Sequence, residues 1–234
     1  MTDILISVRD VHEAQTILKA VPDLAILDIK EPRQGAMGAA TPQQWQAVHN
    51  LPLGTTAMSV ALGELEDLDL SVIHRIPHGT RYAKVGLANQ VNSNWLDDWN
   101  YVQENLPRGT ELVGVIYADD QQARSPTVQQ ILDSLLARPC LTFLIDTFNK
   151  SCGHLLNHLP PHALTAVVKQ IHQHQGKLVL AGSITTDLLP DIMPVVPDCI
   201  GVRGAVCDAD RASTVCPLTA AAFASSLTFF NAGI

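Results

Sequence analysis

The sequence predicts an α/β fold, a single (β/α)8 TIM barrel over residues 1–234. Two observations carry that expectation. Eight short apolar segments of strand character alternate with helical patterns, at a spacing of roughly thirty residues. Only 16% of the residues are charged and 47% are apolar, against about 25% charged in an ordinary soluble domain. Such a balance suits a sheet covered on both faces by helices rather than a one-sided sandwich. A doubly wound open sheet is the alternative. The count of eight and a length of 234 residues favour closure, and no linker or composition shift divides the chain.

Residues 4–8 form a short apolar strand, after which Asp10 caps a helix with Ala14, Ile17 and Leu18 at helical spacing. The second strand is 24–30, and the loop 31–41 that follows carries Gly35 and Gly38 for tight turns. Thr41-Pro42 opens the next helix, with proline at its first position. Strand three is 56–62, with an acidic helix start expected at Glu64, Glu66 and Asp67. Strand four is 82–87, and Trp95, Leu96, Trp99 and Val102 mark the helix after it. Strand five is 112–117. Ser125-Pro126 is expected to start a helix whose Ile131, Leu132, Leu135 and Leu136 face the core. Strand six is 141–147, leading into a helical region broken at Pro160-Pro161. Strands seven and eight are 177–184 and 199–206, and 220–230 is the last helix.

Composition also excludes function classes. The net charge is −8 with basic residues scattered, which disfavours a nucleic-acid surface. No apolar run reaches the ~20 residues of a membrane span. The chain runs at once into a strand containing Asp3, so no signal peptide is expected. Cys140, Cys152, Cys199, Cys207 and Cys216 are odd in number and lack a Cys-x-x-Cys pair, as reduced thiols do. A cytoplasmic protein is expected; its assembly, including a homo-oligomer, stays open.

In a barrel of this type the chemistry gathers at the C-terminal ends of the strands. Strand two ends in Asp28 and Lys30, which share a face because side chains alternate. Strand four carries Lys84, and strand six ends in Asp146 with Lys150 four residues on. Three of the six lysines thus fall at this end, on alternate strands that contribute to common interior layers. A lysine desolvated beside other cations has its neutral, nucleophilic form favoured. The competing reading is a set of buried ion pairs that fixes the barrel ends, although buried charges stabilise poorly. Gly182-Ser183 after strand seven and Gly204-Ala205 after strand eight suit phosphate binding by backbone N–H groups, with Arg203 adding a charge. His154, His158 and His162 recur every four residues, but Pro160 and Pro161 interrupt any shared helix face, and polar surface is the better reading.

The strand-end motifs resemble one family. Asp-Ile-Lys-Glu-Pro at 28–32, Gly-Ala-Met-Gly-Ala at 35–39 and Tyr-Ala-Lys-Val-Gly-Leu at 82–87 come first. Ile-Asp-Thr-Phe-Asn-Lys at 145–150, Leu-Ala-Gly-Ser-Ile at 180–184 and Gly-Val-Arg-Gly-Ala-Val-Cys at 201–207 follow in the same order. This pattern is similar to the (5-formylfuran-3-yl)methyl phosphate synthases, also called 4-(hydroxymethyl)-2-furancarboxaldehyde-phosphate synthases. The resemblance covers nearly the whole chain, apart from the intervening helices, the segment around His172 and the tail after Phe229. It implies a TIM-barrel lyase that condenses two molecules of glyceraldehyde 3-phosphate into the furan precursor of methanofuran-type cofactors. By the same resemblance, Lys30 matches the Schiff-base lysine and Lys84 the proton acceptor. Asp28, Asp146 and Lys150 match further active-site positions. No metal or other cofactor is implied, since the imine supplies the electrophile. Another class I aldolase acting on a different sugar phosphate, or a non-catalytic barrel binding a phosphorylated metabolite, are the readings left beside it.

Overall fold

Eight parallel strands are hydrogen-bonded in chain order, and the last pairs with the first to close a TIM barrel. The computed structural model describes residues 1–138 and 141–233; Cys140, counted above among the reduced thiols, lies outside them. The strands are β1 (Asp3–Val8), β2 (Ile26–Ile29), β3 (Ala57–Glu64) and β4 (Tyr82–Gly86). β5 (Glu111–Tyr117), β6 (Thr142–Asp146), β7 (Lys177–Leu180) and β8 (Cys199–Val202) complete the barrel. Nearly every strand residue is buried, because one face meets the barrel interior and the other meets the helices. Leu5, Val113, Val115, Leu144, Val179 and Cys199 fill the interior. A larger apolar layer, including Ile6, Leu27, Val85 and Ile116, packs outward against the helices.

The outer layer begins with α1 (Val11–Ala20), whose cap is Asp10 as expected, its carboxylate accepting from Glu13 N. Ile17 on its inner face is fully buried, worth about 2 kcal/mol of apolar transfer. α2 (Pro42–His49) starts at Thr41 with a reciprocal Thr41–Gln44 capping box. α3 (Trp95–Asn105) turns Trp95, Trp99 and Val102 inward. α4 (Asp120–Ala123) is a single turn, and α5 (Val128–Leu135) begins two residues later than Ser125-Pro126 implied. There Thr127 and Gln130 form a capping box, worth about 1 kcal/mol, while Ser125 N is already used by Asp120 O. α6 (Leu155–His158) and α7 (Pro161–Gln173) are separate helices, with Pro160 between them. α8 (Leu189–Ile192) is short, and α9 (Pro217–Ala232) begins three residues before the expected 220. Among the described residues no helix is long and apolar enough to cross a membrane.

Two expectations need correction. Glu64 is the last residue of β3, not the start of a helix, and the 3-10 turns Leu65–Asp67 and Leu70–Arg75 stand where an α-helix was expected. Leu65 and Leu68, then Ile73 and Ile76, recur every third residue, which fits a three-residue turn better than a 3.6-residue one. β7 and β8 are also shorter than read: β7 stops at Leu180 and β8 at Val202. Gly182 and Ser183 then adopt positive φ angles of 106° and 53°, which no strand accommodates.

Candidate active site

Pairing register brings the polar strand residues together. Asp28 on β2 stands beside Ser7 on β1 and Ser59 on β3, while Ala61 of β3 stands beside Lys84 on β4. Paired residues share a face, so small Ser59 and Ala61 leave room for Lys84 to reach across β3. Its Nζ lies 2.6 Å from Asp28 Oδ1. The hydroxyl of Ser7 donates to Asp28 Oδ2 at 2.8 Å. Burial alone would raise the Asp28 carboxyl, but Lys84, Lys30 and Ser7 outweigh it and leave it below the usual range.

Asp146 closes β6 on the opposite side of the mouth. Lys150 reaches back to its Oδ1 and also donates to Thr147 Oγ1 at 3.1 Å, while Thr147 N donates to Asp146 Oδ1 at 2.8 Å. The turn bearing Lys150 is held by Asp119, which accepts from Phe148 N at 2.6 Å and from Asn149 N at 2.8 Å. Burial lowers the Lys150 amine, against the raising influence of Asp146. For Asp146 itself, burial is outweighed by Lys150 and Lys30, and its carboxyl stays below the usual range.

Lys30 differs from its neighbours. Its backbone N–H still extends the β1–β2 ladder to Val8 O, and the loop 31–41 folds over its side chain. Glu31 N bonds Gly38 O, and a Cβ at Gly38 would collide with the Glu31 carbonyl. Ala36 and Met37 of that loop are fully buried. Lys30 is thereby 7% exposed. Among the described residues it forms no ion pair; its Nζ has only the Ala36 carbonyl, at 3.4 Å. Burial first, then Lys84 and Lys150, pull the amine down to about 7, against the opposing pull of Asp146 and Asp28. Lys30 thus loses its proton near neutral pH.

A cavity of about 250 Å³ opens over these groups, lined by all five predicted catalytic residues and by Gly182, Ser183, Gly204 and Ala205. Arg203 also lines it, but the expectation that it supplies charge to a phosphate is corrected. Its Nη1 and Nη2 hold the Glu13 carboxylate, Nη1 also donates to Ser7 O at 3.1 Å, Nε to Arg211 O at 2.9 Å and Nη2 to Ser213 O at 2.7 Å. All five N–H donors of the guanidinium are thus spent inside the protein. Buried Glu13 demands this partner, because an unpaired carboxylate in that position would be costly. Gly182 has a packing reason besides phosphate approach: a Cβ there would press on Thr147 and Leu155 at 3.1–3.3 Å.

Sequence reasoning missed several residues of this region. Ser7 was read only as part of a strand, although a polar residue on the buried face of one is a signal. Glu64, read as a helix start, accepts from Tyr117 Oη at 2.5 Å and from Ala88 N at 3.0 Å. It ties the ends of β3, β4 and β5, and burial raises its carboxyl. Arg211 lines the cavity from the loop after β8 and had no periodic or motif signal. His154 and His158 are half-buried rather than surface residues, and no cluster with metal-ligand geometry occurs among the described residues.

Comparison with known proteins bears on the family and the fold. A family model described as 4-HFC-P synthase matches residues 4–223. The (5-formylfuran-3-yl)methyl phosphate synthase of Methanococcus maripaludis strain C5 is 28% identical over 215 residues, covering 87% of this chain and 89% of its own. That of Methanocaldococcus jannaschii is 27% identical over 217 residues, with the same coverage of 87% and 89%. Among solved structures, phosphoribosyl anthranilate isomerase from Thermus thermophilus superposes with a TM-score of 0.65 at 13% identity, covering 97% of this chain and 99% of its own. At that identity the likeness speaks for the barrel alone.

Proposed function

The chain belongs to the 4-HFC-P synthase family, and we propose that it condenses two molecules of glyceraldehyde 3-phosphate, through a Schiff base on Lys30, into (5-formylfuran-3-yl)methyl phosphate. The observation that carries this reading is the isolation of Lys30: a buried amine near pKa 7 with no carboxylate in ion-pair contact among the described residues, beside two amines that each have one.

The Lys30 lone pair attacks the carbonyl of one triose phosphate, and loss of water gives a protonated imine that withdraws electrons from the adjacent carbon. Lys84 accepts the proton from that carbon after passing its own to Asp28, 2.6 Å away. The resulting enamine adds to the aldehyde of the second triose phosphate. Lys150, hydrogen-bonded to Asp146, delivers a proton to the alkoxide that forms. Loss of one phosphate, ring closure, dehydration and hydrolysis of the imine return the lysine and release the furan. In sum, two triose phosphates give one furan phosphate, one inorganic phosphate and two waters. Aromaticity drives the later steps. The product suits the furan-forming stage of methanofuran-type cofactor synthesis.

The test is incubation of the purified protein with glyceraldehyde 3-phosphate, with phosphate release and the furan aldehyde followed together by absorbance and mass. Equimolar appearance of the two supports the reading. An acyclic aldol product that retains both phosphates would assign the protein to ordinary aldol chemistry instead.

A further inference from the structure

Five cations line the mouth, and three of them are neutralised: Lys84 by Asp28, Lys150 by Asp146 and Arg203 by Glu13. Lys30 sheds its charge near neutral pH. Arg211 stays charged at any working pH, and among the described residues it forms no ion pair. Its Nη2 donates to Gly35 O at 3.0 Å, leaving Nε and Nη1 without a protein acceptor among those residues. A partly buried guanidinium with open donors, whose nearest favourable charge, Asp146, is not in ion-pair contact, is costly to keep, unless an anion from outside completes it.

The backbone around Arg211 is unusually well fixed. Three consecutive carbonyls are gripped by charged donors: Arg211 O by Arg203 Nε at 2.9 Å, Ala212 O by Arg9 Nη1 at 2.9 Å and Ser213 O by Arg203 Nη2 at 2.7 Å. Glu13 holds both arginines. From the other side, Asp210 Oδ1 accepts from Ala212 N at 2.8 Å and Ser213 N at 2.9 Å. This arginine lies beside the glycine turn after β8, where a Cβ at Gly204 would find Arg211 Cβ at 3.8 Å. An anion held at Gly204 and Ala205 is therefore within the reach of the guanidinium fork, whose geometry matches phosphate oxygens.

We propose that Arg211 is a phosphate-binding residue of this site, held in place by the Glu13–Arg203 pair and braced across the mouth on Gly35. The proposal rests on the reading of the site as one for phosphorylated substrates, but not on the furan chemistry. If Arg211 served only to pin the loop after β2, its one bond to Gly35 would suffice and its other donors would need no partner.

Calorimetric titration with inorganic phosphate tests this without turnover. Arg211→Gln is expected to weaken phosphate binding about 10- to 100-fold, the range of a lost charge-assisted pair. Arg211→Lys keeps the charge but not the fork, and is expected to fall between that variant and wild type. It also covers the case in which the glutamine variant melts early. The preference for glyceraldehyde 3-phosphate over glyceraldehyde in borohydride trapping falls in parallel. Phosphate affinity equal to wild type in the folded variants, or no phosphate binding by the wild type, overturns the proposal. A wild type that binds phosphate through Arg211 yet forms no furan would overturn the proposed reaction and leave this inference standing.

Discussion

The Lys84 ammonium sits 2.6 Å from the Asp28 carboxylate, and neither group has more than 2% of its residue surface exposed. This pairing takes up the one carboxylate on Lys30's own strand. Among the described residues, Lys30 is left as a buried amine with no ion-pair partner.

A rate that follows the free amine of Lys30 has a defined pH dependence. The amine is protonated and inert below its pKa of about 7 and carries its lone pair above it. Imine trapping therefore rises through pH 7 and levels off by about pH 8, and is about tenfold below the plateau at pH 6. An ordinary lysine would keep rising towards 10.5. A pH series of borohydride trapping with a fixed pulse of triose phosphate measures the midpoint.

Arg203 carries a structural expectation. Its removal leaves buried Glu13 with Arg9 alone and frees the carbonyls of Arg211 and Ser213. Arg203→Met is expected to lose about 3 kcal/mol of stability, read as a drop in denaturant midpoint. A variant of wild-type stability with weaker substrate binding would instead return Arg203 to the ligand role that sequence alone suggested.

The two glycine turns separate in the same way. Gly182 has a φ of 106° and its Cβ position is crowded by Thr147, so Gly182→Val is expected to melt early, by at least about 1 kcal/mol. Gly204 has room, with its nearest neighbour at 3.8 Å. Gly204→Val should keep its melting temperature while losing about tenfold in substrate affinity, because the new side chain occupies the approach to Arg211. Unchanged affinity in that variant would remove the turn after β8 from the site.

What was legible in the sequence follows from periodicity. Asp28, Lys30, Lys84 and Asp146 interrupt runs of buried strand residues, and a charge in such a run is visible without a structure. Alternate strands then place them in one mouth. Lys150 needed only its distance of four residues from Asp146. Arg211 lies in an irregular loop, where neither a two-residue nor a 3.6-residue repeat says which way a side chain points. The Glu13–Arg203 pair joins positions 190 apart in the chain, so Arg203 looked available when it was already committed. Glu64 misled for a different reason: with Glu66 and Asp67 it made an acidic run, the usual mark of a helix start, whereas the strand continues through it and the turns after it are 3-10.

Peptide mapping after borohydride reduction in the presence of glyceraldehyde 3-phosphate shows whether Lys30 is the nucleophile. The added mass of the reduced triose phosphate is expected on Lys30. No adduct is expected in Lys30→Arg, whose guanidinium stays protonated, and furan formation there is expected to fall by several orders of magnitude. Label on Lys84 or Lys150 with activity retained in Lys30→Arg would contradict this role, and so would turnover with no lysine labelled at all.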